Sequence, residues 1–209
     1  MKRNPPVESK GWRSRGYIPH IDRPHLIQLV TIRLHDAVPE ALVEKWKIEL
    51  AWTRRLSARD PRQVALRKLN DKYEDAGCGV CWLGEEKIAR IVEQSILRFD
   101  GKRYRIIAWC IMPNHAHVIF EIWEGYPLNA LLHSMKSYSA HEANRVLDRR
   151  GIFWFREYHD RCIRDDQHLA NAVEYVENNP VKAGLVGRKE QWAWSSAGRI
   201  SELSGRKRR

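Results

Sequence analysis

Residues 108–122, AWCIMPNHAHVIFEI, contain two apolar runs separated by Pro113 and Asn114. This pattern predicts a β-hairpin in which PN is the turn and HAHVIFEIW is the returning strand. His115 and His117 lie on the same face of that strand, because side chains two residues apart point to the same side. The opposite face is an apolar row formed by Ala116, Val118, Phe120 and Ile122. We therefore expect helices to bury the apolar row, and the other face to display the two imidazoles.

Two imidazoles on one face of a strand have suitable geometry for binding one divalent ion. The pair alone is weak evidence, so the question is which other side chains could stand beside it. The segment QHLANAVEYVENN, residues 167–179, is the strongest candidate. Its apolar periodicity predicts a helix, with Asp165 or Asp166 as the N-cap and Pro180 as the end.

Tyr175 lies away from the apolar stripe of this predicted helix. At about 100° per residue, it is about 110° from the centre of the stripe, so it is not placed as a core tyrosine. Asn179 follows four residues later, one turn along the same flank. Together they could complete a histidine–histidine–amide metal site beside a phenolic nucleophile. The alternative is an amphipathic tyrosine on the surface. The stripe itself consists of Leu169, Ala172, Val173 and Val176.

The order of the predicted elements, β, α, α, β, β, α, β, α, indicates a mixed α+β fold around a mostly antiparallel sheet. Before the hairpin we expect a strand at 25–34, a helix starting at Pro39, a charged stretch up to about residue 75 and a helix at 85–100. After it we expect a long helix from Pro127 that Gly151 ends, an extended aromatic segment and the helix with Tyr175. The predicted domain spans 25–198, between a basic, irregular arm at 1–24 and a basic tail at 199–209.

The composition is that of a soluble globular protein with a strong excess of positive charge. Of 209 residues, 37 are Lys or Arg and 26 are Asp or Glu, which gives a net charge of +11. No apolar run reaches the roughly 18 residues of a membrane helix, and the polar N-terminus lacks the core of a secretory signal. We therefore expect a cytoplasmic protein without a membrane partner. Basic residues throughout the body favour nucleic acid as the partner, with a merely solubilising surface as the alternative.

Cys78 and Cys81 form a single C-x-x-C motif, CGVC, and Cys110 and Cys162 are isolated. A structural zinc site usually needs four ligands, and no second cysteine pair is present. We interpret the four cysteines as free thiols in a reducing compartment.

Two motifs together resemble the single-tyrosine HUH transposases, and specifically the REP-associated tyrosine transposases. WCIMPNHAHVIFE is followed about sixty residues later by AVEYVENNPVKAGLV. The segments GYIPHID, GIFWFREYHDRCIR and WAWSSA are also similar to that group, so the resemblance covers roughly residues 15–198. Ala116 departs from the pattern, because the family usually has a bulkier apolar residue between its two histidines.

This resemblance implies a ferredoxin-like α+β core with helices on one face of the sheet and the histidine site on the other. It also implies an enzyme that cuts and rejoins single-stranded DNA. His115 and His117 match the metal-binding pair, Tyr175 the catalytic tyrosine, and Asn179 the amide that helps hold Mg²⁺ or Mn²⁺. The expected substrate is a hairpin of palindromic REP type, and a protein acting on it would be associated with the nucleoid. Relatives occur as monomers and homodimers, and we favour a monomer.

Three arginines, Arg156, Arg161 and Arg164, could contact phosphates along a DNA groove, with a plain solvated strand edge as the alternative. Two other tyrosines, Tyr138 and Tyr158, compete with Tyr175 for the nucleophile.

One rival interpretation is a non-catalytic nucleic-acid-binding module on the same fold, although the strands lack the aromatic signature of an RNA-recognition domain. The other is a metal-hydroxide nuclease that uses His115, His117 and a third histidine such as His141 or His159.

Overall fold

The computed structural model describes residues 11–14, 19–22, 24–53, 56 and 60–199, with side chains from residue 24 onward. Its strands are β1 (Gly11–Ser14), β2 (Pro19–Asp22), β3 (Ile27–Arg33), β4 (Tyr104–Ile111), β5 (His115–Ile122) and β6 (His159–Cys162). The last four form one antiparallel sheet in the order β4–β5–β3–β6, and β1 pairs with β2. If these four strands are numbered one to four in chain order, their order across the sheet is 2-3-1-4, which is the order of a ferredoxin-like unit. The predicted α+β class, the first strand and the hairpin are confirmed.

One face of the sheet carries the apolar row of β5, as predicted. Val118, Phe120 and Ile122 are at most 2% exposed and pack against α3 (Glu86–Leu97) and α4 (Leu128–Val146). Burying one such side chain stabilises the fold by about 1.5–3 kcal/mol. The α4 helix ends before the predicted Gly151, since its C-cap is Leu147 and the chain turns at Asp148 with φ +46°.

The other face is also covered by a helix, which the sequence analysis does not predict. Helix α5 (Asp166–Lys182) places Ala172 and Val176 against Ala108, Cys110 and Ile119 of the sheet. The histidines do lie on the face opposite α3 and α4, as predicted, but they are not displayed there, because α5 covers that face. His115 and His117 are buried instead, and the site lies between the sheet and α5.

The sequence predicted that α5 ends at Pro180, but the helix continues to Lys182. Proline has no N–H to donate to the carbonyl four residues earlier, and only two residues of the helix follow Pro180. Gly184 follows the C-cap Ala183, and its φ of +71° turns the chain out of the helix. Leu185 N donates to the Pro180 carbonyl at 2.9 Å and Gly184 N to the Val181 carbonyl at 3.0 Å, which is the pattern of a Schellman motif.

Two helices precede α3. The predicted helix after Pro39 is α1 (Glu40–Glu49), and α2 (Pro61–Asp75) occupies the charged stretch for which no element is predicted. Asp60 caps α2 by accepting from Arg62 N at 2.9 Å, and Pro61 is its first residue. The two helices share a small apolar cluster of Val38, Val43, Trp46 and Leu66.

Both ends of the chain extend beyond what the structure describes. Strands β1 and β2 lie inside the predicted irregular arm, while residues 1–10, 15–18 and 23 are outside the described residues. Of the predicted tail at 199–209, only Arg199 is described, and its guanidinium pairs with Glu93 of α3 at 3.0 Å. The domain boundaries stay a prediction. No helix within the described ranges is long and apolar enough to cross a membrane.

Candidate active site

The two histidines of β5 meet inside the protein. His115 is fully buried and His117 is 3% exposed, and their Nε2 atoms are 3.0 Å apart. Register places them opposite Arg33 and Thr31 of the neighbouring strand β3. Burying two imidazoles costs free energy unless their nitrogens find partners, so the arrangement of those partners indicates what the site can do.

With the Asn179 amide as placed, the partners of both rings suit an unprotonated Nε2. His115 Nδ1 lies 2.7 Å from Oδ1 of Asn114, which can only accept, so this Nδ1 is the donor. His117 Nδ1 contacts the Thr31 hydroxyl at 2.8 Å, and its Nε2 accepts from Asn179 Nδ2 at 3.0 Å. Two nitrogen lone pairs therefore face each other across 3.0 Å. A cation between them would convert this repulsion into binding.

Both imidazoles are held in the neutral form that binds metal. Burial lowers the pKa of His117 to about 3, and the positive charge of Lys182 adds to that effect. Burial also lowers the pKa of His115 well below its usual range, with contributions from His117 and Arg33.

Asn179 joins the pair from α5, as the sequence predicts. It is 1% exposed, and its Oδ1 has no hydrogen-bond partner within the described part of the chain. Rotating the amide by half a turn would bring Oδ1 to the place beside His117 Nε2 that Nδ2 now occupies. Burying an amide oxygen without a partner beside two imidazole lone pairs destabilises the fold unless a cation binds there.

Tyr175 lies one turn before Asn179, beside the same histidine. Its ring is half-buried and meets the His117 ring edge-on, with 5.4 Å between the centroids. Burial raises the pKa of Tyr175 above its usual range, and the negative charges of Asp71, Asp75 and Glu74 raise it further, against the opposing effect of Arg161. These protein groups therefore favour the neutral phenol.

The competing tyrosines lie elsewhere. Tyr138 is 39% exposed on α4, where the guanidinium of Arg98 lies 5.2 Å from its ring centroid. Tyr158 packs partly buried against the core between the sheet, α3 and α4. The structure brings neither to the histidine pair, whereas it brings Tyr175 there.

The C-terminal end of α2 forms the remaining wall of the site. Glu74 is buried and pairs with Arg33 at 3.0 Å, and Arg33 also donates to Asn70 at 2.8 Å. Burial raises the pKa of Glu74 to about 7, although the charge of Arg33 opposes the rise. Asp75, the next residue, lies beside the two histidines.

The donor set fits a divalent ion. Among the described residues, one cluster of His, Cys, Asp and Glu side chains is close enough to share an ion, and its members are Asp75, His115 and His117. Their ligand atoms lie within 4.8 Å of one another. Neither His141 nor His159, the third ligands considered for a metal-hydroxide nuclease, belongs to this cluster. The four cysteines are free thiols and do not enter it either.

Two basic side chains lie near Tyr175. Lys182 lies seven residues after Tyr175, with its Nζ 5.6 Å from the tyrosine ring centroid. Of the three predicted DNA contacts, all of which are exposed, Arg161 is near enough to Tyr175 and to Arg67 of α2 to influence the pKa of each. Arg164 lies between β6 and α5, and the Arg156 carbonyl accepts from Lys136 at 2.9 Å.

Sequence reasoning missed Asp75 and Lys182. Lys182 could have been found from the pattern, because residues 175, 179 and 182 follow one another at i, i+4 and i+7 on one helical flank. Asp75 required the recognition of α2, for which Asp60 followed by Pro61 is a helix-start signal.

Comparison with known proteins first defines the class. A family model described as Transposase IS200 like matches residues 85–179. The matched range contains α3, the hairpin with His115 and His117, and α5 as far as Asn179. This part of the chain is similar to that transposase family.

Two relatives show which members of that family the chain is similar to. Over 103 residues the chain is 32% identical to a Haemophilus influenzae protein assigned to the REP-associated tyrosine transposases, covering 44% of this chain and 58% of the relative. Over 109 residues it is 25% identical to the REP-associated tyrosine transposase of Escherichia coli, covering 51% and 63%. The matched region thus spans 58% and 63% of the relatives' lengths. The predicted resemblance to the REP-associated tyrosine transposases is confirmed.

A solved structure of a REP-associated tyrosine transposase bound to a REP hairpin has a similar fold. The TM-score is 0.55 at 16% sequence identity, and the alignment covers 86% of this chain and 81% of that one. At this identity the match shows the fold alone, and it agrees with the predicted α+β arrangement.

Proposed function

We propose that this protein is a metal-dependent enzyme that cuts and rejoins single-stranded DNA at hairpins through a 5′-phosphotyrosine intermediate. The observation that carries the proposal is the position of Tyr175 against His117, with 5.4 Å between ring centroids, beside two neutral buried imidazoles and the orphaned oxygen of Asn179. A phenol, a group of side chains that could hold a cation, and basic side chains thus lie close together.

In the proposed reaction Tyr175 Oη attacks the phosphorus of one phosphodiester. A bond forms between the tyrosine oxygen and phosphorus, and the bond between phosphorus and the 3′-oxygen breaks. Over the whole step, the phenolic proton moves to the departing 3′-oxygen. The phosphotyrosine retains the energy of the broken ester, so a 3′-hydroxyl can reverse the step without a nucleotide cofactor.

His115, His117 and Asn179 would hold Mg²⁺ or Mn²⁺, which when bound supplies charge neutralisation on a non-bridging phosphate oxygen. The protein itself contributes position: Asn114 and Thr31 orient the imidazoles, and the helix α5 presents the phenol beside them. Because burial and the nearby carboxylates favour the neutral phenol, the attack requires removal of the phenolic proton of Tyr175.

The proposed substrate is a hairpin with a single-stranded flank. The net charge of +11 and the exposed side chains of Arg161 and Lys182 near Tyr175 suit a phosphate backbone, and a relative of the same fold binds a REP hairpin. Action on chromosomal hairpins would place the protein in the cytoplasm at the nucleoid. We retain the monomer as the expected state.

The test uses one hairpin oligonucleotide labelled at either end. A 5′-phosphotyrosine carries the fragment on the 3′ side of the cut, so only the 3′-labelled substrate should give labelled protein on a denaturing gel. The 5′-labelled substrate should give a shorter free fragment. Cleavage without labelled protein from either substrate would refute the covalent route and favour a metal-hydroxide nuclease. Binding without cleavage in Mg²⁺ or Mn²⁺ would favour a non-catalytic module.

A further inference from the structure

Asp75, the last residue of α2, has two carboxylate oxygens in different surroundings. Oδ2 lies 3.3 Å from Nζ of Lys182, which is an exposed side chain on α5. Oδ1 is buried and finds no hydrogen-bond partner among the residues described. An unpartnered buried carboxylate oxygen is costly, and a bound cation would offset that cost.

An independent observation points to cation binding at the same place. Asn179 is 1% exposed and has an orphaned oxygen of its own, as judged within the described ranges. It lies against His117, whose Nε2 faces that of His115 at 3.0 Å. Ligand atoms of Asp75, His115 and His117 thus lie within 4.8 Å of one another. The Asn179 amide, which contacts His117 through Nδ2, would add its oxygen after a half turn.

We propose that Asp75 is a further ligand of the divalent ion at this site, and that Lys182 is a positioning residue that holds its second oxygen. The inference rests on the proposed function, because it concerns the ion that the proposed cleavage requires. Asp75 would supply the anionic donor that His115, His117 and Asn179 lack. A carboxylate is a hard ligand suited to Mg²⁺ and Mn²⁺, whereas imidazoles by themselves favour zinc and copper.

The structure couples the position of Asp75 to that of the histidines. Asn114 accepts from His115 Nδ1 and donates to the backbone carbonyls of Glu74, at 3.1 Å, and Cys78, at 2.9 Å. One buried side chain therefore connects the ring of His115 to the end of α2. The Arg33–Glu74 pair joins the same turn of α2 to β3, so Asp75 is held on two sides.

The experiment measures Mn²⁺ binding to the full chain without DNA, by calorimetry and by the electron paramagnetic resonance of free Mn²⁺. Asp75→Asn keeps the shape of the side chain and removes its charge. Asp71→Asn is the matched control, because it removes one negative charge a turn earlier on the same helix, from a side chain outside the ligand cluster. We expect Asp75→Asn to weaken Mn²⁺ binding at least about tenfold, Asp71→Asn less than about threefold, and Lys182→Met by an intermediate factor.

A second variant, Asp75→Cys, exchanges a hard donor for a soft one. It should lose Mn²⁺ affinity and gain Cd²⁺ affinity relative to the wild type, with an added thiolate–Cd²⁺ absorption band. Thermal unfolding of each variant confirms that it is folded. Equal weakening by Asp75→Asn and Asp71→Asn would overturn the proposal in favour of a general charge effect.

The outcomes separate this inference from the proposed function. If His117→Ala loses Mn²⁺ binding while Asp75→Asn retains wild-type affinity, Asp75 is not a ligand and the proposed metal site stands. If the wild type binds no Mn²⁺ at all, both the further ligand and the metal dependence of the proposed function are refuted.

Discussion

Asn179 Nδ2 and His117 Nε2 lie 3.0 Å apart, although the two residues are 62 positions apart in the chain. The contact ties helix α5 to strand β5 and places Tyr175, one turn earlier on the helix, beside the imidazole. We expect the Asn179 and His117 side chains to hold the same ion, so substituting either one should affect cleavage.

His117→Ala and Asn179→Ala should each reduce cleavage of single-stranded hairpin DNA. For His117→Ala we expect a loss on the order of 100-fold or more, because an imidazole ligand is removed from the proposed ion. The wild type should also lose activity in excess chelator and regain it with Mg²⁺ or Mn²⁺. The measurement is the initial rate of strand cleavage on a sequencing gel.

His141→Ala is the control for this series, because His141 is on α4 with 79% of its side chain exposed and should be dispensable. Undiminished cleavage by the wild type in excess chelator would contradict the metal requirement.

Glu74→Ala should destabilise the protein by about 3–5 kcal/mol, because it leaves the Arg33 guanidinium buried without its partner. Both side chains of this ion pair are at most 3% exposed. Urea unfolding followed by circular dichroism measures the change in the free energy of unfolding. Glu44→Ala, which removes an exposed carboxylate on α1, should change that free energy by no more than about 0.5 kcal/mol.

A double variant checks the cause. Arg33→Met combined with Glu74→Leu should cost less than the sum of the single changes, because the pair is then removed together. If the free-energy changes of the two single variants simply add up in the double variant, the Arg33–Glu74 pair does not stabilise the fold.

The contrast between α2 and the β-hairpin shows which features the sequence could reveal. The hairpin was predictable because its apolar residues alternate on both strands and a Pro-Asn turn separates them. Helix α2 was not, since its buried side includes Gln63, Asn70 and Glu74, and polar residues weaken the periodicity on which prediction depends.

The site was predictable for a similar reason, but its surroundings were not. Tyr175 and Asn179 share a flank of one helix, so their proximity is a local property of the sequence. The burial of His115 and His117 depends on α5 packing across the sheet, and strand alternation alone does not predict which helix covers which face. Asp75 depends on a helix more than thirty residues away in sequence, held there by Asn114.

Hairpin DNA with a single-stranded flank should bind more tightly than blunt duplex DNA of equal length. Unpaired bases and a flexible backbone can reach the opening beside Tyr175, and affinity should fall steeply as salt rises because phosphate contacts release counterions. Arg161→Ala should weaken binding and reduce the salt slope by about one. Fluorescence anisotropy over a salt series provides both numbers.

Arg105→Ala is the matched control for Arg161→Ala. Arg105 lies on β4, at the sheet edge opposite to β6, and pairs there with Glu121 at 2.8 Å. Tighter binding to the blunt duplex, or an equal effect of both substitutions, would argue against a binding groove beside Tyr175.

Lys136 should make the stability of the fold depend on pH in the alkaline range. Its Nζ donates to the carbonyls of Phe155, at 2.6 Å, and Arg156, at 2.9 Å. Burial lowers the pKa of Lys136 from 10.5 to about 8, with Glu157 opposing. The unfolded chain therefore holds this proton more tightly than the folded one, so the contribution of Lys136 to stability should rise from about pH 8 to about pH 10.5.

The measurement is the free energy of unfolding of the wild type minus that of Lys136→Met, determined by urea titration at several pH values. Lys45→Met, which changes an exposed lysine of α1, reports the general effect of losing a lysine. A difference that stays flat or falls across this window would show that Lys136 does not carry the effect.

Tyr175→Phe should abolish both strand cleavage and the covalent protein–DNA product while leaving hairpin binding nearly unchanged. The substitution removes one oxygen from a half-buried ring, and the edge-on contact with His117 can persist, so the fold should be preserved. Tyr138→Phe is the control, because it makes the same chemical change at an exposed tyrosine of α4 and should cut like the wild type. The three proteins are compared on one denaturing gel with 3′-labelled hairpin, after anisotropy has established equal binding. Persistence of the labelled adduct in Tyr175→Phe would assign the nucleophile to another side chain, and Tyr158→Phe would then be the next variant to examine.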